Sequence, residues 1–248
     1  MQIYSDENIG NYTINNILNL INNLLDKLLS LDELSNQENL RLDNSKIEIF
    51  KALNFYTEDM DLSVGYAKDL DNEQIIQNAC KQLKEIISQH HFSSFFFDLN
   101  NWHISFVLWR IHHGGLIHHL EGVVTSIAEI ANLFNRQSDL LNILEIMNEL
   151  TLAVVSEYYD DMSNTDPSRP WRILLINYAI VATRTHDIKE IETAYAFFVN
   201  HLPEDAAQFF FEAMKQMDAQ NFPHQVKDVV EKFYQQYTVN QEYLKHVH

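Results

Sequence analysis

Four of the chain's 12 histidines fall within one short stretch, Ile111-His112-His113-Gly114-Gly115-Leu116-Ile117-His118-His119-Leu120-Glu121, with His90, His91 and His103 upstream. Imidazole is the commonest transition-metal ligand and titrates near neutrality, so such a cluster suits a transition-metal or haem site, or acid–base catalysis. A fold at Gly114-Gly115 would bring His113 towards His118, with Glu121 about a turn further on. The candidate ligands are therefore His112, His113, His118, His119 and Glu121. The competing reading is structural, because histidines beside a Gly-Gly break can cap helix ends and bond the freed carbonyls. Several signatures are missing. The chain has no His-Glu-x-x-His, no Glu-x-x-His and no His-x-x-x-His, and its single Cys80 excludes a Cys-rich zinc site and an intramolecular disulfide. It also has no P-loop, no Gly-x-Gly-x-x-Gly and no Gly-x-Ser-x-Gly.

Arg169, Arg172, Asn177 and Arg184 form the second set. Asp and Glu number 35 against 17 Lys and Arg, a net charge of −18, so grouped arginines stand out. Guanidinium pairs bidentately with carboxylate, so the three arginines read as a carboxylate clamp. The rival reading pairs these arginines internally with Asp160, Asp161, Asp166 or Asp187. The same charge repels phosphate backbones and anionic membranes, so neither nucleic acid nor membrane is an expected partner. No apolar run is long enough to span a bilayer, and Met1–Glu7 lacks a secretory pattern; the expected location is cytoplasmic.

The elements that must position these residues are helices. Only 5 Gly and 4 Pro occur, too few for an all-β sandwich or a doubly wound α/β fold, and the class expected is all-α with nine or ten helices. Apolar spacing predicts a helix over 12–34, where Ile14, Leu18, Ile21, Leu25 and Leu28 fall at heptad positions. That stripe either faces the core or pairs across a homodimer. A loop is expected over 33–45, and helices over 46–56, 72–90 (with Cys80 on the apolar face), 99–112, 116–135 and 138–159. Helix 99–112 is apolar almost all round and should be central, with Phe92 and Phe95–Phe97 wedged before it. The Asp/Ser/Pro-rich stretch 160–170 is the strongest break, giving an N-terminal helical body over 1–162 and a C-terminal region over 163–248.

Pro170, Pro203 and Pro223 each suit the first turn of a helix, and four helices are expected near 170–184, 188–201, 203–218 and 223–237. The two hairpins start about 33 residues apart, a spacing typical of repeat proteins. At an offset of 34, Leu175 meets Phe209, Ala179 meets Ala213, Ile180 meets Met214, and His186-Asp187-Ile188 meets Gln220-Asn221-Phe222. The run Thr185–Tyr195 and the closing His201-Leu202-Pro203 complete the pattern. Residues 170–238 resemble tetratricopeptide-type helical hairpins. The resemblance implies stacked hairpins that bind a peptide or partner protein on their first-helix face. Departures are Ile191 and Gln225, and Phe198 and Lys232, at the family's small positions. A shorter match, Gly114–His119 after His112-His113, resembles the first metal helix of HD-type phosphohydrolases. That family's His-Asp pair is represented here only by His186-Asp187, which also suits a hairpin turn with Asp187 capping the next helix. The function expected is a non-enzymatic cytoplasmic adaptor without cofactor; the alternative is a metal- or haem-binding enzyme or sensor built on His112–His119.

Overall fold

The computed structural model describes residues 13–63, 67–160 and 168–239. Within them the chain is all-helical, and an isolated bridge between Ile117 and Val154 is its one strand-like contact. No described helix is long and apolar enough to cross a membrane. Most of the polar break at 160–170, with Asp161 and Asp166, lies outside the described residues. The chain divides into two compact units: residues up to Leu133 with Glu149–Val155, and Phe134–Asn148 with the residues from Ser156 onward. Residues 134–148 cluster with the C-terminal unit.

In the first unit, Thr13 accepts the Asn16 N–H and starts α1 (Ile14–Leu29). Ile14, Ile17, Ile21, Leu24, Leu25 and Leu28 are all buried, in contact with α2 (Asn36–Leu53) and α4 (Ser93–His112). The Trp102 indole N–H of α4 donates to the Ile17 carbonyl at 3.1 Å. The stripe is therefore consumed inside the unit, and α1 turns outward its asparagines and Leu20 rather than a seam for a second copy.

The expected loop over 33–45 is helical from Asn36. Ser35 and Glu38 form a capping box in which each side chain bonds the other's backbone N–H, and this starts α2 ten residues earlier than its apolar residues suggest. Only Leu42, Ser45, Ile49, Ala52 and Leu53 of this polar helix are buried, which is why its apolar signal is weak. α3 (Ala67–Gln89) buries Ile76, Ala79, Cys80, Leu83, Ile86 and Ile87. Burial pushes the Cys80 thiol up to about 12. α4 begins earlier than expected, at Ser93, and takes in the phenylalanine run; Phe95–Phe97 are half-buried. From Leu99 to Arg110 it is almost wholly buried, the central element of this unit. α5 (Leu120–Asn132) packs on α4, and the last turn of α6 (Gln137–Ala153) lies in this unit too.

The second unit holds the rest of α6, the short α7 (Glu157–Asp160), and α8 (Pro170–Thr185), α9 (Ile188–His201), α10 (Pro203–Ala219) and α11 (His224–Tyr234), the last running into a π-helical turn, Gln235–Val239. Pro170 and Pro203 sit in the first turns of α8 and α10, where a missing N–H costs nothing. α8 pairs with α9, α10 pairs with α11, and α9 touches both helices of the second pair. Rings of Tyr195, Phe210 and Phe233 meet edge-on or tilted at 5.1–5.3 Å and join α9, α10 and α11. Each such contact adds about 0.5–1.5 kcal/mol to the area buried.

Candidate functional site

In α8 the buried face (Trp171, Leu174, Leu175, Tyr178, Ala179, Ala182) meets α9. This leaves a second row, Arg172, Ile176, Ile180 and Arg184, at a strict four-residue spacing along one side of the helix. The corresponding ridge of α10 carries Asp205, Phe209, Ala213 and Met217. The two ridges line an open groove of about 620 Å³, to which Phe222 also contributes. Its floor is apolar, and Ile180 is 42% exposed. The Phe222 ring meets His186 edge-on at 5.5 Å.

The predicted arginines divide between the ends of this groove. Arg172 Nε donates to Asp205 Oδ1 at 2.9 Å. Arg169 pairs with Glu204 at 3.7 Å. Three turns further along α8, Arg184 donates to the Phe134 carbonyl at 2.5 Å and to Asn135 Oδ1 at 3.3 Å. Burial lowers the Arg184 pKa. Twelve residues of helix separate Arg172 from Arg184, about 18 Å. The arginines thus do not converge as one clamp. Asn177 is half-buried on α8 and does not line the groove. Among the described residues, Glu204 and Asp205 of α10 engage Arg169 and Arg172; Asp161 and Asp166 lie outside the described residues.

The histidine cluster lies in the first unit, and its residues border a turn. α4 ends at His112 with His113 as its cap, and Gly114 takes the left-handed conformation, φ 84°, that a side chain would strain. The Gly115 N–H returns to the Arg110 carbonyl at 2.8 Å, and the His113 carbonyl accepts the Leu62 N–H at 2.7 Å. His113 stacks on Trp109 with centroids 4.1 Å apart, and its Nδ1 lies 2.7 Å from the Trp109 carbonyl. His112 Nε2 is 2.8 Å from Glu149 Oε2. The backbone N–H groups of His118 and His119 donate to the Glu73 carboxylate at 3.2–3.3 Å, and Gln77 donates to the His119 carbonyl. Glu121 lies in the first turn of α5 and, with His119, lines a broad groove of about 910 Å³ between α3 and α5. Among the described residues no three His, Cys, Asp or Glu side chains gather as metal ligands would. The fold at Gly114 does not bring His113 and His118 into one ligand set, because His113 is turned onto Trp109.

His186-Asp187 forms the α8–α9 turn. His186 caps α8 with φ 58°, and Asp187 accepts the N–H groups of Lys189 and Glu190 at 3.0 and 3.2 Å. An Asp at this position is a helix cap worth about 1 kcal/mol. Asp187→Ala is therefore expected to lower stability by roughly that amount and Asp187→Ser to leave it nearly unchanged, as read by urea unfolding.

Two polar networks in the first unit, one buried and one part-buried, have no signature in the apolar spacing. Arg110, 1% exposed, donates to both oxygens of Asp69 at 2.9 and 2.6 Å, to Glu73 at 3.3 Å and to the Leu116 carbonyl at 3.1 Å. The Tyr56 hydroxyl donates to Asp69 at 2.8 Å. Burial opposes the charge on Arg110, but its bonds to Asp69 and the nearby Glu73 hold it above its ordinary value. Burial likewise raises the Tyr56 phenol. In the second network, Ser126 Oγ lies 2.9 Å from His103 Nδ1 and 3.2 Å from Lys84 Nζ, and Lys84 pairs with Glu129 at 3.0 Å. Burial, then the charges of Lys84 and Arg110, push His103 down to about 3. Ser126 is fully buried, so it has no access to a substrate. The available signals were Arg110 inside an otherwise apolar helix, and Asp69 and Glu73 four residues apart on α3.

Comparison with protein-family models, with curated proteins and with solved structures gave no match.

Proposed function

We propose that the second unit is a non-enzymatic partner-binding module, two stacked helical hairpins of tetratricopeptide-like kind, within a cytoplasmic adaptor protein. The observation that carries this reading is the open apolar groove between the two first helices, α8 and α10, with Ile176, Ile180, Phe209, Ala213 and Met217 along it. Apolar side chains left uncovered in a continuous trough mark a binding surface more often than chance exposure does. The departures from the repeat pattern have a use here: Phe198, at a position the family keeps small, meets the Phe209 ring at a tilt with centroids 4.6 Å apart and supports one wall. Arg172 and Arg184 then frame the groove rather than clamp a ligand, since both are engaged within the unit.

The test is to fill the trough. Peptides selected from a displayed library on the full chain are expected to lose binding at least about tenfold to Ala213→Trp, because an interface anchor that is blocked typically costs 2 kcal/mol or more. Ala213 is only half-buried, so the helical circular dichroism and melting curve should persist. Selected peptides that bind the variant as well as the original chain would overturn the reading.

A further inference from the structure

We infer that the second unit carries a site for an organic cation, an ammonium group on a short aliphatic stem, in the pocket between α6, α8 and α9. This site is separate from the α8–α10 groove and does not rest on the partner-binding reading.

The pocket measures about 340 Å³, a size that admits a small ligand. Its charged lining is Glu145 of α6 and Glu190 of α9, and among the described residues no Lys, Arg or His lines it. The Glu145 carboxylate forms no ion pair or hydrogen bond with another described residue. Lys189 Nζ stands 4.0 Å from Glu190 Oε1, but its side chain is 87% exposed, and a pair so open to water holds little. Two carboxylates that share a recess without a cation repel each other, and an entering cation relieves both.

Tyr178 of α8 lines the same pocket and points independently to a ligand. It is 4% exposed, with its ring edge-on to Phe197 at 6.1 Å. Among the described residues its hydroxyl has no hydrogen-bond partner. Buried hydroxyls are normally bonded, so one left open at the wall of a pocket is set for a group that enters. Burial, then the charge of Glu190, raises the Tyr178 phenol, so it stays neutral and its oxygen can accept. Acceptors on three helices suit the three N–H groups of an ammonium better than the planar fork of a guanidinium, which pairs with one carboxylate edge. Leu141 and Leu144 of α6 give the stem an apolar wall. A metal ion fits less well, since among the described residues no three His, Cys, Asp or Glu side chains gather.

The test is a titration of the isotope-labelled full chain with n-butylammonium chloride, read from backbone amide NMR shifts. The shifts of Glu145, Tyr178 and Glu190 should move together and saturate with a Kd of about 1 mM, within reach of a ligand of so few atoms. n-Butanol, its uncharged match, should bind at least about tenfold more weakly. Glu190→Gln and Tyr178→Phe should each weaken butylammonium about fivefold or more. Tyr178→Phe should leave the melting curve unchanged, because the hydroxyl serves no other described residue, and this separates lost binding from lost folding. A lysine side chain of another protein would bring the same group, and Nα-acetyl-lysine methylamide distinguishes the sources: binding equal to butylammonium assigns a protein lysine, and weaker binding assigns a free amine. Shifts that do not saturate, butanol that binds as well as butylammonium, or variants that leave binding intact would overturn the inference and leave a recess filled by water.

Discussion

Arg110→Met is expected to cost about 3–5 kcal/mol, enough to unfold the first unit in mild denaturant. The side chain removed is the one cation facing two carboxylates, Asp69 and Glu73, all three nearly inaccessible to water. The excess negative charge of the trio is met by the N–H groups of His118 and His119 and by the Tyr56 hydroxyl. Without the guanidinium, two buried carboxylates stand uncompensated and the Leu116 carbonyl loses its donor. A triple variant, Arg110→Met with Asp69→Asn and Glu73→Gln, removes the charge imbalance and should recover part of the loss. Arg110→Lys should not recover it fully, since an ammonium cannot make the forked pair with Asp69. Urea unfolding followed by tryptophan fluorescence measures all three; a single-variant loss under about 1 kcal/mol would show that the network contributes little.

Acid should weaken the first unit through His103. The folded value of about 3 lies below the ordinary 6.5, so between these two values the unfolded chain binds the extra proton and the folded one does not. The stabilisation is therefore fully present above 6.5 and is lost as pH falls towards 3. The slope from this residue alone approaches about 1.4 kcal/mol per pH unit. From pH 7 to pH 5 the lead of the original chain over His103→Gln should shrink by roughly 2 kcal/mol, whatever the carboxylates contribute to both. A constant gap would mean that His103 takes up its proton as readily in the folded chain as in the unfolded one.

The helical class was legible because apolar spacing is a property of the chain itself. The hairpins at 170–237 were legible for the same reason, with Pro170 and Pro203 marking helix starts. What escaped was set by partners distant in sequence. α2 is held by a cap and a few buried contacts rather than by a broad stripe, so its polar first half read as loop. Arg110 looked like an interruption because Asp69 and Glu73 lie 41 and 37 residues away. The histidines looked like a ligand set because their crowding is local, whereas their uses (Glu149, Trp109, the Glu73 carboxylate) are not. The arginines stand out by type, and two of them line the groove; their acidic partners on α10 lie some 33 to 35 residues away and become visible only in the folded chain.

Cys80 gives the first unit a stopwatch. It is the chain's sole thiol, sealed inside α3 and kept from ionising. An alkylating reagent can reach it only in moments when that helix lifts, so one covalent tag per molecule, counted by mass against time, would clock how often the unit breathes.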